Sequence, residues 1–358
     1  MGELKFIFVH GLSGWGSYDK AYQRMPYWGM RNGDLIKQLQ KEGFDCYAAS
    51  VGPQSSAHDR ACELYAQLSG TKTDYGKIHA ERYGHDRFGP DFTGRALIDD
   101  FEYSKIVLLG HSFGGATIRL FSHILENGLE EELGEDCSAF FQGGKKNVVA
   151  LISLAAPHNG TTAYDMYDDP SFDPEAIQGT RMENGMASLM NKADTPKDPL
   201  PVQDCAAYDM HIDNALKLNE SIKLSKDIFY FSQPCCITKE DENGYQVPDK
   251  KRTEILYART ARRMGAYTGK TKGGFVIDES WRASDGLVNT VSQTAPLSDP
   301  SKKYEENDVP KGIWNVFETY DGDHMSLQGG MLVKNRIFPY YRDLLGKIVA
   351  LSREKGEK

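Results

Sequence analysis

The sequence predicts an α/β fold built around a mostly parallel β-sheet with helices on both faces. Short apolar runs that end at turn residues alternate with amphipathic stretches of helical length over most of the 358 residues. This alternation is typical of βαβ units, in which the ligand site lies at the carboxyl ends of the strands. The length allows two domains or one large domain with insertions, and we expect a single domain over 1–358.

The predicted strands and helices follow one another in a regular order. The first strand ends at His10-Gly11 and the third at Gly110, where a tight turn is expected to follow a buried strand. The predicted strands are 4–9, 44–51, 105–109, 148–154, 228–231 and 314–320, and the predicted helices are 34–42, 58–68, 115–126 and 213–224.

Two stretches interrupt this order. Residues 163–207 are rich in Asp, Pro, Met and Asn around one expected short helix at 182–191, and residues 233–281 are polar and rich in glycine. A structureless stretch that long is unusual inside a compact domain unless it is functional or has elements of its own. We therefore expect both to be insertions in one domain, the first of them lying over the strand ends.

Composition and charge exclude several classes of protein. The 51 acidic and 42 basic side chains give a net charge of −9, which repels the phosphates of nucleic acids. No window approaches the roughly 18 uninterrupted apolar residues of a membrane-spanning helix. The N-terminus lacks a secretory-signal pattern, so we expect a cytoplasmic protein as the chain is written, or a secreted one if a signal has been removed. The six cysteines include no C-x-x-C pair, and we expect them to be idle thiols.

A nucleophile motif follows the third predicted strand. Gly110-His111-Ser112-Phe113-Gly114 has the Gly-x-Ser-x-Gly pattern, and an apolar strand precedes it while a helix pattern follows. In such an elbow the serine occupies a strained strand-to-helix turn, where side chains larger than hydrogen collide on either side. We therefore predict Ser112 as a nucleophile rather than part of a structural turn.

A serine hydroxyl needs a base to take its proton, and in enzymes built on this elbow the order along the chain is Ser, acid, His. The histidines that follow Ser112 are His123, His158, His211 and His324. His324 follows the last predicted strand, so we predict it as the base. The residues leave the acid open among Asp278, Glu279, Asp285 and Asp299.

An oxyanion hole requires two backbone N–H groups, one from the residue after the nucleophile and one from a loop after an early strand. Phe113 and Leu12 occupy these positions. We predict their N–H groups as the two donors.

Taken together, these motifs resemble the zinc-containing bacterial lipases, which include the thermoalkalophilic and staphylococcal enzymes and have the α/β-hydrolase fold. The resemblance includes the segments VHGLSGWG, GHSFGG, APHNGTT and DGLVNTVS and spans most of the chain. The matching blocks are 9–16, 27–29, 51–53, 59–63, 65–68, 74–76, 84–85, 87–89, 110–115, 156–162, 208–209, 285–292 and 323–324.

The resemblance implies a Ser112–Asp285–His324 triad and a structural zinc ion in an insertion at 53–92. The implied zinc ligands are Asp59, His79, His85 and Asp209. Two imidazoles and two carboxylates suit tetrahedral zinc and leave no protein position open for a catalytic water. The family also holds calcium, partly through an acidic residue two positions after the catalytic histidine. Here that position is Ser326, so we expect the calcium site to be lost.

The resemblance thus implies a serine carboxylic-ester hydrolase without an organic cofactor. The insertion at 163–207, a lid in the family, is short and polar here, which favours short- to medium-chain acyl esters or bulky polyester-like esters. A long-chain triacylglycerol lipase is the alternative substrate class. Two other classes stay open, namely a zinc-dependent hydrolase in which Ser112 is incidental and a non-catalytic lipid-binding protein on the same scaffold.

Overall fold

A computed structural model describes residues 4–177, 179–180, 182–184, 202–249, 251, 253–330 and 336–354. Its strands are β1 (Leu4–Val9), β2 (Asp45–Ala49), β3 (Lys72–Asp74), β4 (Phe88–Asp91), β5 (Lys105–His111), β6 (Val148–Leu154), β7 (Phe229–Gln233), β8 (Cys235–Cys236), β9 (Thr238–Glu240), β10 (Gln246–Pro248), β11 (Gly269–Lys270), β12 (Val276–Ile277), β13 (Ser301–Lys303), β14 (Trp314–Val316) and β15 (Tyr320–Asp321). Its α-helices are α1 (Lys20–Arg24), α2 (Leu35–Lys41), α3 (Ala57–Ser69), α4 (Lys77–Tyr83), α5 (Gly114–Asn127), α6 (Ala139–Gln142), α7 (Thr162–Asp165), α8 (Ala206–Asp209), α9 (Ile212–Ser221), α10 (Ile255–Ala266) and α11 (Phe338–Glu354).

The central sheet has seven strands in the order β13-β14-β7-β6-β5-β1-β2. Each pair of neighbours in it is parallel. The predicted α/β fold with a mostly parallel sheet is therefore confirmed. Because all strands run the same way, β1, β5 and β6 end at one edge, and the residues that follow them meet there.

Both faces of this sheet are buried, which is why its strands are continuous apolar runs. Along β1, Phe6 and Phe8 face one apolar cluster while Ile7 and Val9 face the other, as the two-residue period of a strand requires. Apolar side chains of α3 and α5 complete the cluster around Ile7 and Val9. Those of α2 and α11 complete the cluster around Phe6 and Phe8.

Helix α3 begins and ends where its sequence dictates. The Ser56 hydroxyl accepts a hydrogen bond from the Asp59 N–H at 3.2 Å, which caps the first turn. Gly70 ends the helix in the left-handed region at φ 67°, a conformation that glycine adopts without steric cost. The helix therefore presents Asp59 and Arg60 at a fixed place in its first turn.

The structure differs from the predicted elements in its second half. The run predicted as one strand at 314–320 is divided into β14 in the central sheet and β15, which pairs with β8 outside that sheet. Strand β13 and helices α10 and α11 were not predicted. Strand β13 contains no apolar residue, so no apolar run indicates it. Helix α11 does have apolar residues at helical spacing, among them Leu344, Leu345, Ile348 and Val349. The helix expected at 182–191 lies almost wholly outside the described residues.

The three expected insertions contain elements of their own. Segment 53–92 contains α3, β3, α4 and β4, and segment 233–281 contains the β9–β10 and β11–β12 pairs with α10 between them. A small apolar cluster joins Met166 of the third segment, 163–207, to Met264 of α10 and to Trp281. None of the helices in the described residues has both the length and the apolar character needed to cross a bilayer.

Candidate functional site

Ser112 lies in a sharp turn between β5 and α5. Its φ is 55°, in the left-handed region that a non-glycine residue adopts only at an energetic cost. The turn is tight enough that a Cβ on Gly110 would lie 2.4 Å from Gly114 O, and one on Gly114 would lie 2.4 Å from Val9 O. Glycine at both positions therefore allows the chain to fold back, and Ser112 projects at the carboxyl edge of the sheet.

Ser112 and His324 are joined by a hydrogen bond, and His324 and Asp285 by another. Ser112 Oγ is 2.8 Å from His324 Nε2, and His324 Nδ1 is 2.7 Å from Asp285 Oδ2. Asp285 is fully buried, His324 is 4% exposed and Ser112 is 6% exposed, so water does not compete freely for these contacts. The His324 N–H also donates to Asp285 O at 2.9 Å.

The loop around Asp285 holds its carboxylate in place. Asp285 Oδ1 accepts hydrogen bonds from the N–H groups of Leu287 at 3.0 Å and Val288 at 2.8 Å. These bonds leave Oδ2 for His324. Hydrogen bonds to the charged form stabilise a carboxylate even where it is buried.

The structure places the other candidate acids away from this arrangement. Asp278 accepts hydrogen bonds from Ser280 on an exposed turn, and Asp299 accepts one from Trp314 Nε1 at 3.0 Å. Glu279 begins the exposed turn that follows Asp278.

The other candidate histidines are equally occupied elsewhere. His123 Nδ1 accepts the Lys223 N–H, and His211 lies 3.6 Å from both Asp165 and Asp168. His158 Nε2 contacts Ser153 Oγ at 2.7 Å.

The two residues expected to supply the oxyanion-hole N–H groups both lie close to Ser112. Leu12 lines the cavity beside Ser112, and Phe113 directly follows Ser112 at the start of α5. Neither N–H donates to another group in the part of the chain that the structure describes. Neither N–H is thus committed to another acceptor there.

Ser112 and His324 line a cavity of about 670 Å³, a size typical of small-molecule sites. Among the described residues its walls are apolar and aromatic, with hydroxyl groups but no Asp, Glu, Lys or Arg side chain. The expected insertions contribute Ala163, Tyr164, Tyr167, Tyr257 and Thr260. The remaining lining residues are Leu12, Ser13, Trp15, Tyr27, Met30, His111, Thr161, Met210, Leu287, Val288 and Met325.

A second group of histidine and carboxylate side chains lies in a different part of the fold. Asp59, His79, His85 and Asp204, which we call the four-residue cluster, present ligand atoms that all lie within 4.8 Å of one another. His79 Nε2 is 3.2 Å from Asp59 Oδ1 and 3.3 Å from Asp204 Oδ1, and His85 Nε2 is 3.2 Å from Asp204 Oδ2. These four residues could hold a metal ion.

The fourth member of the cluster is Asp204 and not the expected Asp209. Asp209 Oδ2 instead accepts a hydrogen bond from the Ala57 N–H at 2.7 Å, at the start of α3. Burial raises the pKa of the Asp209 carboxyl to about 7, which is unfavourable for a group that must be charged to bind a cation. Asp204 lies two residues before the short helix α8 and Asp209 is the last residue of that helix, and nothing in the sequence distinguishes which of them faces the histidines.

The polar atoms of this cluster are buried and without hydrogen-bond partners. Asp59 Oδ1, His79 Nε2, His85 Nε2 and both Asp204 carboxylate oxygens accept or donate no hydrogen bond among the described residues. His85 Nδ1 lies 2.9 Å from the Asp86 carbonyl oxygen, which can only accept, so Nδ1 carries the proton. In the neutral ring the lone pair of Nε2 therefore points at the Asp204 carboxylate. A cation between these atoms removes that conflict, so the residues fit a metal ion.

The helix that carries His79 is itself fixed at its start. Glu132 accepts hydrogen bonds from the N–H groups of Ile78 at 3.0 Å and His79 at 2.6 Å. Gly84 then ends α4 at φ 74°, so that the chain turns and His85 faces the same centre. His58 stacks on the His79 ring with centroids 3.8 Å apart.

Comparisons with known proteins point to one family. A family model described as "Lipase-like, C-terminal domain" matches residues 3–174 and 198–336. The chain is 34% identical over 363 residues to Lipase 2 of Staphylococcus aureus, covering 92% of this chain and 51% of that protein. It thus spans about half the length of the curated relatives it matches.

Solved structures agree with this match. EstA from Clostridium botulinum superposes with a TM-score of 0.82 at 28% identity, covering 97% of this chain and 87% of that one. The Staphylococcus hyicus lipase superposes with a TM-score of 0.80 at 29% identity, covering 98% and 97%.

Proposed function

The chain belongs to the staphylococcal-type lipase family, and from this premise we propose that it is a serine carboxylic-ester hydrolase of lipase or esterase type. The observation that carries this proposal is the pair of hydrogen bonds from Ser112 through His324 to Asp285 at the wall of an uncharged cavity. A nucleophile, a base and an orienting acid in that geometry are what acyl transfer requires.

In the proposed reaction Ser112 Oγ attacks the ester carbonyl carbon while His324 Nε2 takes the serine proton. Asp285 keeps the Nδ1 proton of His324 in place and stabilises the imidazolium that forms. The carbonyl oxygen becomes an oxyanion, which accepts hydrogen bonds from the Leu12 and Phe113 N–H groups. The C–O bond to the alcohol then breaks, and His324 gives the alcohol its proton. Water attacks the acyl-enzyme with His324 again as base, which releases the acid and restores Ser112.

The cavity supports neutral esters as substrates. The part of its lining that the structure describes holds no side chain of fixed charge, so a charged acyl or alcohol group would lose its hydration there without a partner. Within that class we propose short- to medium-chain acyl esters or bulky polyester-like esters, with long-chain triacylglycerols as the alternative. Because Tyr164, Tyr167 and Thr260 come from segments 163–207 and 233–281, we propose that these segments, with 53–92, are insertions in one domain.

We propose that the four-residue cluster holds a structural zinc ion. Two imidazoles and two carboxylates form a complete tetrahedral set, so the ion would link α3, α4 and the chain before α8. This completeness argues against the zinc-hydrolase alternative, because a catalytic zinc keeps one position open for water. Ser326 offers no carboxylate for calcium and instead donates to Asp323 at 3.0 Å, which supports the loss of the calcium site.

Hydrolysis of p-nitrophenyl esters from acetate to palmitate, by the parent protein and Ser112→Ala side by side, tests the proposal. We expect the parent to be active with a maximum at short or medium chains, and Ser112→Ala to lose about 10⁴-fold or more in kcat. A maximum at palmitate would replace the short-chain preference by a long-chain one. Equal activity of the two proteins, or saturable fatty-acid binding without turnover, would overturn the serine mechanism.

A further inference from the structure

Tyr27 has a buried hydroxyl beside the active site that the proposed reaction does not use. The residue is 4% exposed, and its hydroxyl contacts three groups from three separate parts of the chain. Gly11 N–H donates to it at 3.0 Å, Gln328 Nε2 donates to it at 3.0 Å, and His111 Nδ1 lies 2.7 Å away. Gly11 directly precedes Leu12, and His111 directly precedes Ser112. The hydroxyl therefore connects the loop of one oxyanion donor with the turn of the nucleophile.

The His111 ring continues this connection to the base. Its Nε2 lies 2.9 Å from the backbone carbonyl oxygen of His324, which can only accept, so Nε2 carries a proton. Burial lowers the pKa of His111 well below its usual value, so the ring is neutral and Nδ1 is an acceptor. The Tyr27 hydroxyl can then donate to Nδ1, which Gln328 Nε2 also contacts. The Tyr27 oxygen accepts from Gly11 N–H and from Gln328 Nε2.

The peptide between Gly11 and Leu12 is held on its other side as well. Gly11 O accepts from His10 Nδ1 at 2.8 Å and lies 3.5 Å from an Arg60 guanidinium nitrogen. In a trans peptide the C=O and the following N–H point in opposite directions. Fixing Gly11 O against His10 and Arg60 therefore directs the Leu12 N–H away from these two side chains, and Leu12 itself lines the cavity. The hydrogen bond from Gly11 N–H to Tyr27 fixes the preceding peptide plane.

We propose that Tyr27 and His111 are positioning residues that hold the Leu12 oxyanion donor in register with Ser112 and His324. This inference rests on the proposed ester hydrolysis. Removing the Tyr27 hydroxyl leaves the Gly11 N–H without its acceptor, so the loop can rotate and the Leu12 N–H moves off the line to the oxyanion. An oxyanion donor acts on the transition state rather than on the bound substrate. The effect should therefore appear in kcat, with KM little changed.

The experiment compares Tyr27→Phe with the parent on a matched pair of substrates, a p-nitrophenyl ester and its thiono analogue, in which sulfur replaces the carbonyl oxygen. Sulfur accepts hydrogen bonds weakly, so hydrolysis of the thiono ester depends less on the oxyanion donors. We expect Tyr27→Phe to lower kcat for the oxygen ester about tenfold and for the thiono ester much less. The ratio of the oxygen-ester rate to the thiono-ester rate should therefore fall in Tyr27→Phe. A general loss of folded protein would lower both rates equally and leave this ratio unchanged.

Tyr230→Phe is the matched control. Tyr230 is also 4% exposed, and its hydroxyl also accepts a backbone N–H, that of Ser225 at 2.9 Å. It lies near the start of β7, at the sheet edge opposite the cavity. We expect Tyr230→Phe to lose similar stability while keeping the parent ratio of oxygen-ester to thiono-ester rates.

His111→Gln tests the same link from its other end, because a flexible amide cannot hold both the Tyr27 hydroxyl and the His324 carbonyl as the ring does. This variant should also lower the ratio of the oxygen-ester rate to the thiono-ester rate. An unchanged ratio in both Tyr27→Phe and His111→Gln would overturn this inference while leaving ester hydrolysis by Ser112 intact. Full activity of Ser112→Ala would instead overturn the proposed function and this inference with it.

Discussion

The triad and the four-residue cluster are both buried groups of histidine and carboxylate side chains, yet they differ in how their polar atoms are satisfied. In the triad, His324 has a partner on each ring nitrogen, and Asp285 accepts hydrogen bonds on both carboxylate oxygens. In the cluster, atoms of all four residues lie close together without a hydrogen bond. The triad is complete as a set of protein groups, whereas the cluster is complete only with a cation.

This difference indicates that the triad and the four-residue cluster have different roles. A buried polar atom without a partner costs roughly 1–3 kcal/mol, and five such atoms lie together in the cluster. Binding a metal ion converts that cost into stability. We therefore expect changes in the triad to affect catalysis with little effect on folding, and changes in the cluster to affect folding first.

The largest effect should come from Asp285→Asn. The Asn oxygen can still accept from Leu287 and Val288, but its NH₂ group faces His324 Nδ1 and favours the tautomer that cannot act as a base. We expect kcat to fall by about 10⁴-fold, equivalent to about 5 kcal/mol. Steady-state kinetics on a p-nitrophenyl ester measure the loss, and urea unfolding measures stability in parallel.

Zinc content is the internal control for this variant. Asp285→Asn should retain as much metal as the parent and unfold within about 1 kcal/mol of it. A large loss of stability or metal would mean that the two groups are not independent. A kcat within tenfold of the parent would remove Asp285 from the mechanism.

The second-largest effect should come from Asp204→Asn, which tests whether Asp204 rather than Asp209 binds the metal ion. Asp204→Asn removes a carboxylate from the cluster, so we expect zinc in the purified protein to drop from about one per chain to a small fraction. Where free zinc exceeds its dissociation constant a thousandfold, the bound ion contributes about 4 kcal/mol to the free energy of unfolding, and this contribution should be lost. Elemental analysis and urea unfolding in zinc-containing buffer measure both quantities.

Asp209→Asn is the matched partner of that variant. The Asn oxygen can keep the hydrogen bond from Ala57, and no charge has to be buried, so metal content and stability should stay near the parent values. The reverse result, in which Asp209→Asn loses zinc and Asp204→Asn keeps it, would contradict the cluster. If a chelator abolished activity at once in a protein that stayed folded, a catalytic zinc would replace the structural one.

The sequence predicts the fold best at strands that are buried on both faces, because such strands are continuous apolar runs. Strands β1 and β6 have the predicted bounds, because a strand covered by helices on both faces is apolar along almost all of its length. Helices α10 and α11 were not predicted, although each has the one-sided apolar pattern of an amphipathic helix, so periodicity could have indicated them.

The candidate site shows the same limit in another form. Ser112 is embedded in a local motif, and the chain order then points to His324, so these residues can be found from sequence alone. Local pattern left the acid open among four carboxylates. The resemblance then implied Asp285, and in the structure its contact with His324 distinguishes it from the other three. Asp204 and Asp209 lie five positions apart around a short helix, and which of them faces His79 depends on the tertiary fold. The contacts of the Tyr27 hydroxyl leave no trace in the sequence.

The smallest effect should come from Asp323. Its carboxylate has hydrogen-bond partners, as in the triad, yet its charged form is still unfavourable in the folded protein. It accepts hydrogen bonds from Glu254 N–H, Met325 N–H and Ser326 Oγ, yet burial raises its pKa from 3.8 to about 6, with Glu254 and Asp285 adding to the rise. The folded protein therefore binds this proton more tightly than the unfolded chain does. Its contribution to stability is present below about pH 4 and is lost as the pH rises through about 6, by at most about 3 kcal/mol.

Asp323→Asn cannot titrate, so the unfolding free energy of the parent relative to this variant should decrease from pH 4.5 to pH 7.5, measured in urea at each pH. Because other groups titrate alike in both proteins, a difference that stays constant, or one that increases with pH, would show that the Asp323 carboxyl is charged in the folded protein throughout that range.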